Sequence, residues 1–281
     1  MIYNLKIHGV PHLLKLFLGE LEFALNKPKN KILVLNYHGT PKKFINNFEN
    51  QLDFFQKYFQ IIHPGLFFDY LNGKPLNEGN YLLLTFDDGI KNNLYAVDVL
   101  NKKGISAVFF VVPGFIDSSE QKSYYINNIR PQINNHIDSE QDDFVRLNWD
   151  ELNELKKNHF VGSHSFHHSM SNFDYDIDNL QHEICYSADY ISNKINKSVD
   201  SFCSINNTLL SVNEVSKKVI NKKYKYHFTT IAGCNRLYKD PLFIKRINIE
   251  CFWTLGACKF SVGDINLFRF RKKITLFQKL N

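Results

Sequence analysis

The chain predicts a parallel α/β fold, and three observations carry that expectation. Its clearest strand signal, Tyr81–Leu84, is an unbroken apolar run set between Gly79 and Gly89, the pattern of a strand buried on both faces. Strands of this kind alternate with stretches of helical length, as in repeated strand–helix units. At 281 residues, 44% of them hydrophobic and 15% aromatic, the chain suffices for one barrel-sized domain around a core rich in its 25 phenylalanines.

In chain order, the pattern predicts a strand at Ile32–Tyr37, a helix at Phe44–Phe59, a strand at Tyr81–Phe86, a helix at Asn92–Lys103 and a strand at Ala107–Val112. A helix at Trp149–Lys157, a strand at Phe160–Ser163 and a long helix at Ile177–Ile195 follow. Val199–Ser204 reads as strand, Val212–Asn221 as helix, and Tyr226–Thr229 and Phe243–Ile249 as strands. The segment Asp117–Val145 breaks the pattern. It is polar, acidic towards its end and longer than an ordinary connection, so a lid or a disordered insertion is expected there. No internal repeat or second domain is visible.

Composition narrows the function classes. A net charge of +6 is modest, and the lysines are scattered among asparagines without a stripe of interleaved aromatics, which argues against a nucleic-acid partner. The five cysteines, Cys185, Cys203, Cys234, Cys251 and Cys258, show no Cys-x-x-Cys spacing and read as reduced thiols. No leader pattern opens the chain and no run has bilayer-spanning length, so a cytoplasmic location is expected. The apolar helix candidate His12–Leu25 and the basic, aromatic stretch Leu267–Phe277 could each pack on the barrel or lie on a membrane surface.

The chemistry concentrates in two places. Asp87 and Asp88 directly follow the buried strand Tyr81–Phe86, where two adjacent carboxylates need a metal, a base role or water, because an unpaired buried charge is costly. Strand C-termini are where parallel α/β folds place their sites. A solvated Asp-Asp-Gly turn capping a helix at Asn92 or Asn93 is the alternative. The second place is Gly162–His168, again after a short apolar run. His164 and His168 stand four apart, a spacing that would bring both imidazoles to one side of a helical turn, and one Asp oxygen with two His nitrogens leaves a fourth metal position open.

The motif Thr85-Phe-Asp-Asp-Gly89 followed by His164-Ser-Phe-His-His168 resembles the polysaccharide deacetylases of the NodB-homology class, whose first two motifs are T-F-D-D and H-[S/T]-x-x-H. Leu33–Gly39, Gly104–Val112, Asn148–Leu152 and Asp240–Arg246 look like family landmarks in the family's order, so the likeness spans residues 32 to 250. It implies a distorted, incomplete (β/α) barrel. It also implies that Asp88, His164 and His168 bind one divalent ion and that Asp87 is the catalytic base; the mixed nitrogen and oxygen set suits zinc while leaving cobalt, nickel and manganese open. His167 has no family role.

The departures matter too. Where the family's third motif carries a Pro and an aromatic, this chain has Phe202-Cys-Ser-Ile-Asn-Asn207, so the oxyanion donor there would be the backbone at Asn206. That motif's usual Arg is also missing. Arg246 resembles the arginine that some members use instead to pair with the catalytic Asp, a plain surface arginine being the alternative. No His follows His227, which removes the usual C-terminal Leu-x-x-His motif; His38, in Leu35-Asn-Tyr-His-Gly39, fits the permuted members whose general-acid His sits on the first strand.

The expectation is therefore a metal-dependent hydrolase removing an N-acyl group, acetyl first and formyl as the alternative, from an amino sugar of a surface glycan or of its nucleotide-linked or lipid-linked precursor. A deacetylase fold that binds glycan or a partner without turnover is the competing reading. The organisation expected is an apolar helical extension over 1–31, a catalytic domain over 32–255 and a basic, aromatic tail over 256–281.

Overall fold

The computed structural model describes residues 12–25, 28–130, 144–169, 177–206, 208–236 and 239–279. Eight parallel strands build the scaffold: β1 (Ile32–Tyr37), β2 (Gln60–Ile61), β3 (Tyr81–Phe86), β4 (Val108–Val111), β5 (Phe160–Ser163), β6 (Ser201–Cys203), β7 (Tyr226–Phe228) and β8 (Ile247–Asn248). Their order is β7-β6-β5-β4-β3-β1-β8, with β2 pairing the start of β3. β1 and β3 are buried along their whole length and run in register from Ile32 opposite Tyr81 to Tyr37 opposite Phe86. Continuous apolar runs are what strands covered on both faces require.

The sheet curls into a barrel because one segment meets both of its edges. Ile244 bridges Phe228 of β7 in parallel, and three residues later Ile247 pairs with Leu35 of β1. The expected strand Phe243–Ile249 is thus cut to Ile247–Asn248 by a change of partner. Arg246 lies in that change, its N–H held by the Ile231 carbonyl at 3.0 Å.

Alternate residues of the strands face inwards and form one cluster, with Ile32 and Val34 from β1, Leu83 from β3, Val108 and Phe110 from β4, and Phe228 from β7. The floor of this interior is a helix that the periodicity did not predict, Pro64–Leu71, whose Phe67, Phe68, Tyr70 and Leu71 join the same cluster. Gly162 on β5 leaves the room that the Phe110 ring occupies, since a Cβ there would lie 2.5 Å from it. Leu33 and Leu35 face the other way, into the layer shared with the surrounding helices.

The helices otherwise follow the expected plan, with shifted ends. The helix expected from Val212 starts at Glu214, because Asn213 and Ser216 form a capping box. Ile177 to Ile195 is helical throughout, with a π-helical stretch at Gln181–Tyr186. Of the lid or disordered insertion expected over Asp117–Val145, the described part is ordered, which removes the disordered alternative there. Gln121–Tyr124 is α-helical and Tyr125–Ile129 π-helical, and Tyr125 and Ile129 pack with Ile90, Phe115 and Phe144; the rest, 131–143, lies outside the described residues.

At the ends of the chain, the helix His12–Leu25 lies along the helix Leu255–Val262 so closely that a Cβ on Gly19 would sit 2.6 Å from the Gly256 carbonyl. No described helix is long and apolar enough to cross a membrane.

Candidate active site

The C-terminal ends of the strands converge on one cavity of about 310 Å³. Asn36 and His38 come from β1 and its exit, Asp87 and Asp88 from β3, His164 and His168 from the loop after β5, Ser204 and Asn206 from that after β6, Thr230 from that after β7, and Asn248 and Glu250 from β8 and beyond. Every site residue expected from the sequence lines this cavity except Arg246, which lies behind Asp87. Backbone strain gathers here as well. Among the described residues, Asp88 (φ 76°), Ser165 (63°), His168 (61°) and Asn206 (48°) make up four of the six non-glycine residues with positive φ.

Asp87 is fixed from behind. The guanidinium of Arg246 donates to both its oxygens, Nη1 to Oδ1 at 2.7 Å and Nη2 to Oδ2 at 2.9 Å. Arg246 is itself buried, and its Nε donates to the Thr229 carbonyl and its Nη1 also to Thr85 Oγ1. The surface-arginine alternative is thereby excluded. Burial pushes the Asp87 carboxyl up, but Arg246 and then His164 outweigh it, holding the group well below the usual carboxylate range. It stays ionised.

Asp88 points the other way. Its Oδ1 lies 3.6 Å from His164 Nε2 and 3.7 Å from His168 Nε2, while its Oδ2 is buried with no hydrogen-bond partner. Each imidazole uses its far nitrogen on a backbone carbonyl, His164 Nδ1 on Cys203 at 2.9 Å and His168 Nδ1 on Asn128 at 3.0 Å. Carbonyls only accept, so both Nδ1 atoms carry the proton and both Nε2 atoms present lone pairs to Asp88. Burial, foremost, pushes both rings down, His168 to about 4, which keeps them neutral. Two lone pairs and a carboxylate oxygen facing one another without a proton among them repel unless a cation joins them. The donor set fits a divalent ion.

The expected route to this arrangement needs correcting. His164 and His168 meet, ring centres 5.0 Å apart, in an irregular loop turned by left-handed Ser165 and His168, and not on a helical turn. The solvated-turn alternative for Asp87 and Asp88 fails because both are almost fully buried. Asn92 does precede the helix Asn93–Lys102, but its side-chain oxygen accepts from the Thr40 N–H instead of capping. The adjacent grouping of Asp87, His164 and Cys203 suits a cation less well, since Arg246 occupies Asp87 and burial holds the thiol of Cys203 protonated. His167 is half-exposed and bonds Glu183 through Nδ1 at 2.7 Å.

The sequence profile of the polysaccharide deacetylase family matches residues 75–229, more than half of the chain. The chain belongs to the polysaccharide deacetylase family. Solved deacetylases share its fold. Streptococcus pyogenes deacetylase PplD, in complex with acetate, superposes with a TM-score of 0.62 at 18% identity, over 83% of this chain and 99% of that one. IcaB from Ammonifex degensii gives 0.61 at 19%, over 79% and 93%. A de-N-acetylase from Aggregatibacter actinomycetemcomitans gives 0.60 at 16%, over 83% and 100%. No curated protein matches the sequence.

Within this polysaccharide deacetylase site, six charged or polar wall residues escaped the sequence reading: Asn36, Arg130, Ser204, Thr230, Asn248 and Glu250. Glu250 Oε1 lies 3.6 Å from His38 Nδ1; burial would raise its carboxyl, but His38 outweighs burial and holds it down to about 2. Asn248 Oδ1 accepts from Asn36 Nδ2 at 3.1 Å across paired β1 and β8. Arg130 comes from the π-helical segment, its Nε 3.9 Å from Asp88 Oδ2. Polar residues at the ends of apolar strands, Asn36 and Asn248, were the one available signal.

Proposed function

We propose that the chain is a metal-dependent N-deacetylase acting on an amino sugar, in which Asp88, His164 and His168 hold one divalent ion, zinc by preference. The observation that carries this is the pair of inward imidazole lone pairs on Asp88 beside a carboxylate locked by an arginine. A binding protein needs no such ionised base. A divalent ion there supplies Lewis-acid polarisation of the amide carbonyl and makes water a better nucleophile near neutrality. Asp87, with Oδ2 4.0 Å from His164 Nε2, accepts the proton of the attacking water while Arg246 fixes its plane. His38 delivers a proton to the departing amine, with the Glu250 carboxylate 3.6 Å from its Nδ1. Asn206 lines the wall where an oxyanion donor would stand, and Asn36, Asn248 and Thr230 offer hydrogen bonds to sugar hydroxyls.

Two outcomes test these assignments. A His164→Ala, His168→Ala double variant should lose the stoichiometric ion that elemental analysis finds in the parent; retention of a full equivalent would remove the site. His38→Ala should lower acetate release most for substrates with poor leaving amines, since an amine departs readily only when protonated. Unchanged rates across a leaving-group series would take the acid role from His38.

The substrate we favour is an intracellular glycan precursor, nucleotide-linked or carried on lipid. Five free cysteines support a reducing compartment. Leu13, Leu14, Phe17, Leu21 and Leu25 lie exposed on the outer side of the first helix, and Phe268 and Leu276 are exposed beside the basic residues Arg271 and Lys272. Exposed apolar side chains and, elsewhere, apolar side chains beside cations are the two features that binding to an anionic bilayer uses. The protein should float with vesicles containing phosphatidylglycerol and stay behind with purely zwitterionic ones; sedimentation away from both would remove the membrane from this reading.

A further inference from the structure

One cation in the cavity has no use in the mechanism above. Arg130 ends the π-helical segment, anchored by its own N–H on the Tyr125 carbonyl at 2.8 Å and by neighbouring Ile129 in the apolar cluster. Its side chain is 28% exposed and lines the cavity, and its nearest carboxylate oxygen, Asp88 Oδ2, is 3.9 Å from Nε, beyond a hydrogen bond. Among the described residues, the guanidinium makes no hydrogen bond, although it carries five donors.

Among the described residues, each carboxylate near it has another partner, and Glu250 attracts it only from beyond salt-bridge distance. Asp87 is taken by Arg246, and Glu250 faces His38. Asp88 is the remaining one, and an ion at Asp88, His164 and His168 draws on that charge. With the ion present, Arg130 keeps among the described residues only the longer-range attraction of Glu250, and its guanidinium donors stay unfilled in a partly enclosed cavity, an arrangement that an anion would complete. The rest of the wall, Asn36, Asn206, Thr230 and Asn248, is polar and neutral.

We propose that Arg130 binds a permanent anionic substituent, a phosphate or a carboxylate, of the amino sugar whose acyl group the site removes. The planar fork of an arginine matches both anions bidentately. The inference rests on the cavity being the amino-sugar site, and it narrows the substrate to acidic or phosphorylated sugars.

Calorimetric titration of the metal-loaded protein with deacylated sugars tests it without requiring turnover. Glucosamine is the neutral probe, glucosamine 1-phosphate the phosphate probe and muramic acid the carboxylate probe. At least one anionic probe should bind about tenfold or more tightly than glucosamine, as a charge-assisted pair provides, and whichever does so identifies the source of the anion. That preference should weaken with added salt, shrink below roughly threefold in Arg130→Gln and return in part in Arg130→Lys, with metal content measured in every variant.

Equal affinity for all three sugars overturns the inference. So does an anion preference that survives in Arg130→Gln, which would place the anion on the ion itself. Acetate release by the parent protein is assayed separately. Turnover combined with equal affinities leaves the deacetylase reading standing without this one, whereas an Arg130-dependent preference without turnover on any N-acetyl sugar does the reverse.

Discussion

Replacing Asp87 with Asn should cost about 10²–10⁴-fold in turnover while the bound ion stays at one equivalent. The substitution keeps the shape and leaves Asp88, His164 and His168 untouched, so the cation site survives. What it removes is, among the described residues, the ionised carboxylate that both faces the ion site and is held in place by an arginine. It also turns an acceptor into a donor against Arg246, whose Nη1 and Nη2 lie 2.7 and 2.9 Å from the two Asp87 oxygens. Some stability should therefore go with the activity. Acetate release and elemental analysis on the same sample separate the two roles of the Asp pair. A variant with parental turnover would leave the fold and the ion site intact and move the base elsewhere.

That such an experiment can be designed from the sequence reflects what a linear chain makes legible. β3 was readable because a strand buried on both faces must be apolar throughout, and the two carboxylates at its end then had no place in a core. The two histidines were readable from the family motif, though the geometric reason offered for them was wrong. Four residues apart suggested a helical turn, whereas left-handed Ser165 and His168 bend a loop to the same effect.

The unread parts have a common cause, which is that they depend on partners far apart in the chain. Pro64–Leu71 shows no amphipathic stripe because, as the floor of the barrel, it is apolar on most of its circumference. β2 is too short for any period to register. Glu250 becomes a site residue only once Asn248 pairs with Asn36, 212 positions away, and Arg130 only once a π-helical turn packs on Phe115 and Phe144. Within Phe202–Asn207, Ser204 and Asn206 stand in the cavity wall, placed there by the loop after β6 and not by any period of their own.

Arg246, the arginine behind Asp87, should prove as costly to remove as any residue in the protein. Arg246→Met is expected to destabilise the fold by about 3–5 kcal/mol, the penalty for leaving one member of a buried ion pair without the other. Among the described residues nothing else can take its place: Asp87 is almost fully buried, the Arg246 side chain is wholly so, and the further contacts of the Asp87 carboxylate, with the unprotonated Nε2 of His164 and the thiol of Cys203, are both at 4.0 Å. The loss should appear as a lower denaturant midpoint at unchanged slope, and turnover should fall because nothing then fixes the plane of the base. Adding Asp87→Leu to Arg246→Met removes the stranded charge and should recover most of the stability, since a buried pair replaced by apolar groups of similar volume is close to neutral. Activity should not return in that double variant. If Arg246→Met instead matches the parent in both midpoint and turnover, the buried pair neither stabilises the fold nor orients Asp87, and both assignments fall together.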